Sequence, residues 1–115
     1  MTLQVTKNFF RSKNEVLDDM KAADSWPTMY VGGASAGRAV HAHGMDLTVY
    51  VMDGEADFID GETDTSFHLI PGDKLVIPAG ALHAEGEVKE RIVYLVGFPG
   101  PMSPDEIPAD EIAAR

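Results

Sequence analysis

From Thr28 to Phe98, apolar and polar residues alternate with a period close to two, and glycine or proline interrupts the alternation every few residues. Side chains two apart on an extended chain face the same way, so this is the pattern of half-buried strands. It divides into TMYVG, RAVHAH, LTVYVMD, EADFID, SFHLI, KLVIP, LHAEGEV and RIVYLVGF. Asp60-Gly61 separates EADFID from SFHLI, and Pro71-Gly72 precedes KLVIP; both are turn-forming pairs. No helical periodicity falls between these segments, which disfavours a parallel βαβ architecture and points to an all-β sandwich or barrel. At 115 residues the chain buries enough surface for one core, not two.

The helical pattern lies ahead of the strands, in SKNEVLDDMKAAD. Ser12 and Glu15 have the spacing of a capping box, and Val16, Leu17 and Met20 form one apolar stripe. Trp26-Pro27 is expected to end this helix, because the residue before proline is pushed out of the α region. After Phe98 the chain reads PGPMSPDEIPADEIAAR, with four prolines and few large apolar groups. The organisation predicted is therefore an N-terminal helical segment over 1–27, a β-barrel over 28–98 and an acidic, Pro-rich tail over 99–115. In the tail, Asp105, Glu106, Asp110 and Glu111 read as a solvated cluster.

Nine basic residues against 19 acidic ones leave a net charge of −10. Nucleic acids and anionic membranes are bound through Lys and Arg, so neither is expected as a partner. The absence of cysteine removes disulfides, thiolate nucleophiles and Cys-held zinc, and any metal must be held by imidazole, carboxylate or water. MTLQVTKNFF lacks the apolar centre of a signal peptide, and no apolar run reaches the roughly 18 residues of a membrane span. A cytoplasmic location is the expectation.

The residues that carry chemistry fall in two stretches. In HAHGMDLTVYVMDG, His41 and His43 share the parity of Leu47, Val49 and Val51, which places both imidazoles on the interior face if the GMD stretch keeps the alternation. In GDKLVIPAGALHAEGE, a tight turn at Pro78-Ala79-Gly80 sends the chain back towards the first stretch, and His83 follows it. Three imidazoles able to bind a divalent ion are thus brought within range of one another.

Together these stretches resemble the cupin superfamily of small β-barrels. Its second motif runs Gly, five residues, Pro-x-Gly, two residues, His, three residues, Asn; Gly72, Pro78, Gly80 and His83 match, and Glu87 stands at the Asn position. Its first motif runs Gly, five residues, His-x-His, three or four residues, Glu, six residues, Gly. Here His41, His43 and Gly54 match, Ser35 stands at the first Gly position, and Leu47 or Thr48 occupies the Glu position. The resemblance covers roughly residues 28–98 and implies a double-stranded β-helix, or jelly-roll barrel. It also implies a divalent metal, iron, nickel or zinc, held by His41, His43 and His83.

The missing glutamate leaves three readings open. One is a three-histidine site completed by water, similar to that of cupin dioxygenases acting on thiols or diketones, which also lack the acidic ligand. Another is a substitute carboxylate, either Asp46 beside the vacancy or Glu85, which shares the parity of His83. The third is a metal-free barrel whose histidines hydrogen-bond a ligand. Resemblance favours a dioxygenase-like enzyme acting on a small organic substrate, with Glu85 or Glu87 as an acid or base; a non-catalytic binding or sensing cupin is the alternative, since fold alone does not decide function.

The remaining candidates read more plainly. His68 lies outside both motifs and is expected at the surface or the core edge. Arg38 and Arg91 could anchor a substrate carboxylate or form surface ion pairs. Tyr50 is expected to pack or to line a rim. Met29, Val31, Leu47, Val49, Val51, Phe58, Leu75, Ile77, Leu82, Ile92, Tyr94 and Val96 form the predicted core, with Leu47, Val49, Leu75, Ile77 and Tyr94 lining the pocket. Exposed sheet edges predict a homodimer, as does the resemblance.

Overall fold

The computed structural model describes residues 2–100 and 112–113. Along the chain lie β1 (Gln4–Thr6), α1 (Lys13–Ala22), β2 (Trp26–Ser35), β3 (Arg38–Ala42), β4 (Leu47–Asp53), β5 (Ala56–Asp60), β6 (Ser66–Leu69), β7 (Lys74–Ile77), β8 (His83–Glu85), β9 (Val88–Phe98) and β10 (Ile112–Ala113). They form two five-stranded sheets, ordered β1-β7-β4-β9-β2 and β10-β3-β8-β5-β6, with antiparallel pairing throughout. This is the double-stranded β-helix implied by the motifs.

Alternation decides which side chains fill it. Leu47, Val49 and Val51 of β4 join Phe58, Leu75, Ile77 and Tyr94 in the main core. Tyr50, on the opposite face of β4, packs with Phe10, Leu95 and the helix residues Val16 and Met20 in a second cluster. Strand β4 is therefore buried on both faces, and α1 covers the side that the other sheet does not. Each large side chain so buried contributes roughly 1.5–3 kcal/mol.

The helix starts where expected, with the Ser12 hydroxyl accepting from the Glu15 N–H (3.3 Å). Its end differs from expectation. It stops at Ala22, well before Trp26-Pro27, through a left-handed Asp24 (φ 57°). The N–H groups of Asp24 and Ser25 return to the carbonyls of Lys21 (3.1 Å) and Met20 (2.8 Å), closing the helix without proline. Trp26 and Pro27 instead open β2.

Three residues of the predicted core are corrected. Met29 and Val31 are 59% and 60% exposed, because register with Leu95 and Val93 puts them on the face opposite Tyr30 and the core residue Tyr94, on a strand that among the described residues pairs with β9 alone. Leu82 is 40% exposed, since alternation turns it away from the interior that its neighbour His83 faces. The segment LHAEGEV also divides into β8 and the start of β9 at Gly86, whose N–H donates to the Asp57 carbonyl (2.8 Å). Within 1–27, β1 pairs with β7 and Leu3 enters the main core; three residues are too few for a period-two signal. Most of the tail lies outside the described residues, while Ile112–Ala113 pair with β3 opposite Ala42 and His41. No helix among the described residues is long and apolar enough to cross a membrane.

Two buried carboxylates tie the N-terminal segment down. Asp60 accepts from the N–H groups of Leu3 (2.8 Å), Glu62 (2.8 Å) and Thr63 (3.1 Å). Asp73 accepts from the N–H groups of Asn8 (2.9 Å) and Ile70 (2.9 Å) and from the Lys7 ammonium. Burial works to raise both pKa values, but these donors outweigh it and hold both below the ordinary carboxylate value. A pKa lower in the folded than in the unfolded state contributes stability that is present above the unfolded value near 3.9 and lost as pH falls through the folded one. The urea midpoint is therefore expected to be insensitive to these groups above about pH 5 and to drop steeply below about pH 4. An Asp60→Asn, Asp73→Asn variant should show a visibly flatter acid limb. An unchanged limb would remove these two groups from acid unfolding.

Candidate metal centre

The two histidine stretches meet because β3 and β8 are antiparallel neighbours with His41 directly opposite His83. His43 follows the end of β3 on the same side as His41. The turn after β7 holds it there: the Gly80 N–H donates to the His43 carbonyl (2.9 Å). Gly80 has φ +78°, a conformation that side-chain-bearing residues rarely adopt, which is the physical content of the Pro-x-Gly turn.

All three imidazoles are buried. Their potential ligand atoms lie within 4.8 Å of one another, and among the described residues they form the one cluster of this kind. Ring centroids are 5.0 Å apart for His41 and His43, 4.3 Å for His41 and His83, and 5.2 Å for His43 and His83.

Tautomers follow from the hydrogen bonds. His41 Nδ1 lies 2.8 Å from the Ala39 carbonyl and His83 Nδ1 lies 2.9 Å from the Ala81 carbonyl. A carbonyl only accepts, so each Nδ1 carries the proton and each Nε2 keeps its lone pair. His41 Nε2 is buried and makes no hydrogen bond. Buried acceptors without a donor are rare, and a divalent cation among the three rings would satisfy this one. Burial also lowers the His83 pKa, which favours the neutral, metal-binding form. The residues present fit a metal.

Beside the cluster opens a cavity of about 330 Å³. His43, His83, Glu85, Arg38 and Tyr94 line it on one side, and Leu47, Val49, Phe58, Ile77, Val96 and Phe98 supply apolar walls. Thr28, Met29 and Tyr30 of β2 border it.

No family model matches the chain, and neither does any curated protein. Solved structures do. A DUF861 family protein from Thermotoga maritima superposes with a TM-score of 0.59 at 14% identity, over 84% of this chain and 98% of that one. A cupin-2 domain containing protein from Shewanella frigidimarina gives 0.53 at 23% identity, over 64% and 71%. The chain folds as a cupin. The DMSP lyase DddQ from Ruegeria pomeroyi gives 0.57 at 25% identity, over 67% of this chain and 39% of that one; the chain spans well under half of the lyase.

Leu47, one of the two residues at the position where the first motif carries its acid, leaves that place apolar. Leu47 is buried, pairs with Ile77 across β4 and β7, and faces the cavity. Of the two carboxylates considered as substitutes, Asp46 is exposed and accepts from the Ala79 N–H (2.7 Å), clamping the loop after His43 to the turn before His83. Glu85 is the acid beside the cluster, its Oε2 3.8 Å from His41 Nε2 and 3.7 Å from Arg38 Nη1. Burial pushes the Glu85 pKa up, while Arg38 and His41 pull it down.

The other candidates separate. Glu87 is exposed and borders a different depression, with His68 and Arg91. There His68 bridges Asp57 (2.7 Å) and Glu55 (2.8 Å), and Arg91 pairs with Asp53; neither reaches the cavity. Leu75 is fully buried in the main core and is not a lining residue. Tyr94 is a lining residue, and Tyr30, to which the sequence assigned no role, stacks on it with centroids 5.8 Å apart. That contact arises because residues 30 and 94 are cross-strand partners, which no local pattern reveals.

Proposed function

We propose that this chain is a metal-dependent cupin acting on a small organic anion, with one divalent ion held by His41, His43 and His83 and dioxygenase-like oxidation as its reaction. The observation that carries this reading is the convergence of three imidazole ligand atoms within 4.8 Å beside an apolar cavity, with Leu47 at the position of an acidic ligand. A bound iron, nickel or zinc ion would supply a Lewis-acidic centre for substrate oxygens and, as iron, a place to activate dioxygen.

The chain's own groups do the rest. Three neutral imidazoles add no negative charge, so the centre favours a ligand that brings its own. Arg38 offers a guanidinium to the anionic end of such a ligand. Burial raises the Tyr94 pKa, so its hydroxyl stays protonated and serves as a donor. Leu47, Val49 and Ile77 keep water from the apolar part. Glu85, beside His41 and Arg38, is placed to exchange a proton with a ligand in the cavity.

Metal analysis of the purified protein, followed by oxygen uptake with a panel of thiols and diketones, tests the proposal. Stoichiometric metal with substrate-dependent uptake supports it. Metal without turnover would favour a binding or sensing cupin. A second reading, a lyase, is favoured by likeness to two DMSP lyase structures at 25% and 27% identity. Conversion of DMSP under anaerobic conditions would select it over oxidation.

Leu47→Glu probes the ligand set directly. The variant is expected to bind metal at least about tenfold more tightly, since a carboxylate compensates the ion's charge. Stripped of metal, it should lose roughly 1–3 kcal/mol of stability for the buried polar group. Metal should restore that loss. A variant with unchanged metal affinity would place Leu47 away from the ion.

A further inference from the structure

Alternation puts Thr28, Tyr30 and Gly32 of β2 on one face, opposite Val96, Tyr94 and Ile92 of β9. The cavity beside the histidines is bordered by the first two of these rungs, Thr28 with Val96 and Tyr30 with Tyr94, and not by the third. Tyr30 therefore stands at one end of the opening, and its ring turns away from it. A Cβ built on Gly32 would have the Tyr30 hydroxyl oxygen at 2.8 Å, Cε2 at 2.9 Å and Cζ at 3.1 Å as its nearest neighbours. The ring thus lies in the space that glycine leaves and that any larger residue would fill. Glycine weakens a strand interior and often marks a close approach; here the approaching group is the preceding side chain on the same face. Gly33, on the other face, has nothing within 4 Å of the equivalent position.

The ring is held by its seat on Gly32 and by stacking on Tyr94, with centroids 5.8 Å apart and planes at 19°. Neither contact is strong. Tyr30 is 52% exposed, and a stacked pair of this kind shifts a rotamer equilibrium by only about two- to tenfold. We infer that Tyr30 is a specificity-determining residue of the metal-site cavity: its ring rests open over Gly32, swings towards Thr28 to narrow the mouth, and so sets how wide a ligand enters. Reach and direction permit the swing. Thr28 is two residues away at roughly 3.3 Å each, a span that a tyrosine side chain covers, and the two positions are staggered rotamers about one Cα–Cβ bond. That the ligand then meets a metal rests on the function proposed above; the gate itself does not, and its test does not depend on a bound ion.

The chain has no cysteine, so Val49→Cys, at a buried residue of the cavity wall, supplies a single thiol. Its reaction rates with methyl methanethiosulfonate and with the wider benzyl methanethiosulfonate are measured on the full chain, and their ratio cancels the acidity of the thiol. Gly32→Ala displaces the ring from its seat and should lower the benzyl-to-methyl ratio at least about fivefold. Adding Tyr30→Ala to that chain should return the ratio to the parent value or above, a dependence of one substitution on the other that independent losses of packing do not produce. Tyr30→Phe and Gly33→Ala should change nothing. The gate is overturned if Gly32→Ala leaves the ratio unchanged, or lowers it as much with alanine at residue 30. It is overturned as well if neither reagent reaches the thiol, since the mouth would then be shut with the ring in its seat. A gated thiol in a chain that takes up no metal would sink the proposed function alone; metal bound beside an ungated thiol would sink this inference alone.

Discussion

Replacing His41 and His83 together with alanine is expected to take bound divalent metal from about one ion per chain to below about a tenth, because one imidazole and water hold such an ion too weakly to survive purification. Both residues must go, since two imidazoles with a nearby Glu85 retain measurable affinity. The substitutions remove two buried rings and two hydrogen bonds, to the carbonyls of Ala39 and Ala81. Each freed carbonyl costs roughly 1–3 kcal/mol where no donor replaces the ring, so circular dichroism is recorded beside metal content, and a spectrum matching the parent protein separates loss of metal from loss of fold. His68→Ala is the control: its ring is exposed and engaged by Glu55 and Asp57, and metal content should not change. Metal retained in the double variant, or lost in the control, would end the case for this centre.

Asp73→Ala is expected to be the most destabilising single change named here, at about 3–5 kcal/mol, since unsatisfied donors cost roughly 1–3 kcal/mol each. In a domain of this size that amounts to a fall of about 12–20 °C in Tm. The carboxylate is 1% exposed and gathers the N–H groups of Asn8 and Ile70 with the Lys7 ammonium. The backbone donors dominate. The Lys7 side chain is 54% exposed and can turn to water, so Lys7→Ala should cost under about 1 kcal/mol. Loss of the carboxylate also loosens the segment that brings Phe9 and Phe10 to the Gly72 carbonyl (2.7 and 3.2 Å), and exchange protection of β1 should fall before that of β4. Thermal unfolding of the two variants decides between the readings: equal losses would make the ion pair, not the backbone donors, the source of the effect.

Asp73 illustrates what local pattern conveys and what it does not. Its place after Gly72 marks a turn, which formed as expected. That its carboxylate would collect donors from residues 65 and 66 positions away is a property of the closed barrel. The histidines stand differently. Parity placed His41 and His43 on one face, the Pro-x-Gly turn returned His83 towards them, and the resemblance joined the two stretches. The strands were readable because each has a buried and a solvated face. Where that asymmetry is weak, the reading failed: β2 has apolar residues on both faces, and register with β9 turns Tyr30 inward onto Tyr94 and Met29 and Val31 outward. The helix end was misplaced for a related reason, because Asp24 adopts a left-handed conformation that proline-based rules do not anticipate.

The sequence by itself determined most of the strand succession from Thr28 onward and which three imidazoles could share an ion, because period-two alternation, turn residues and ligand chemistry are all written within a few adjacent positions. Only the tertiary structure decided that His41 faces His83, that Glu85 rather than Asp46 stands beside them, and that Tyr30 covers Tyr94. Those are contacts between strands distant in the chain, and their partners are chosen by sheet register and by which faces the folded sheets enclose.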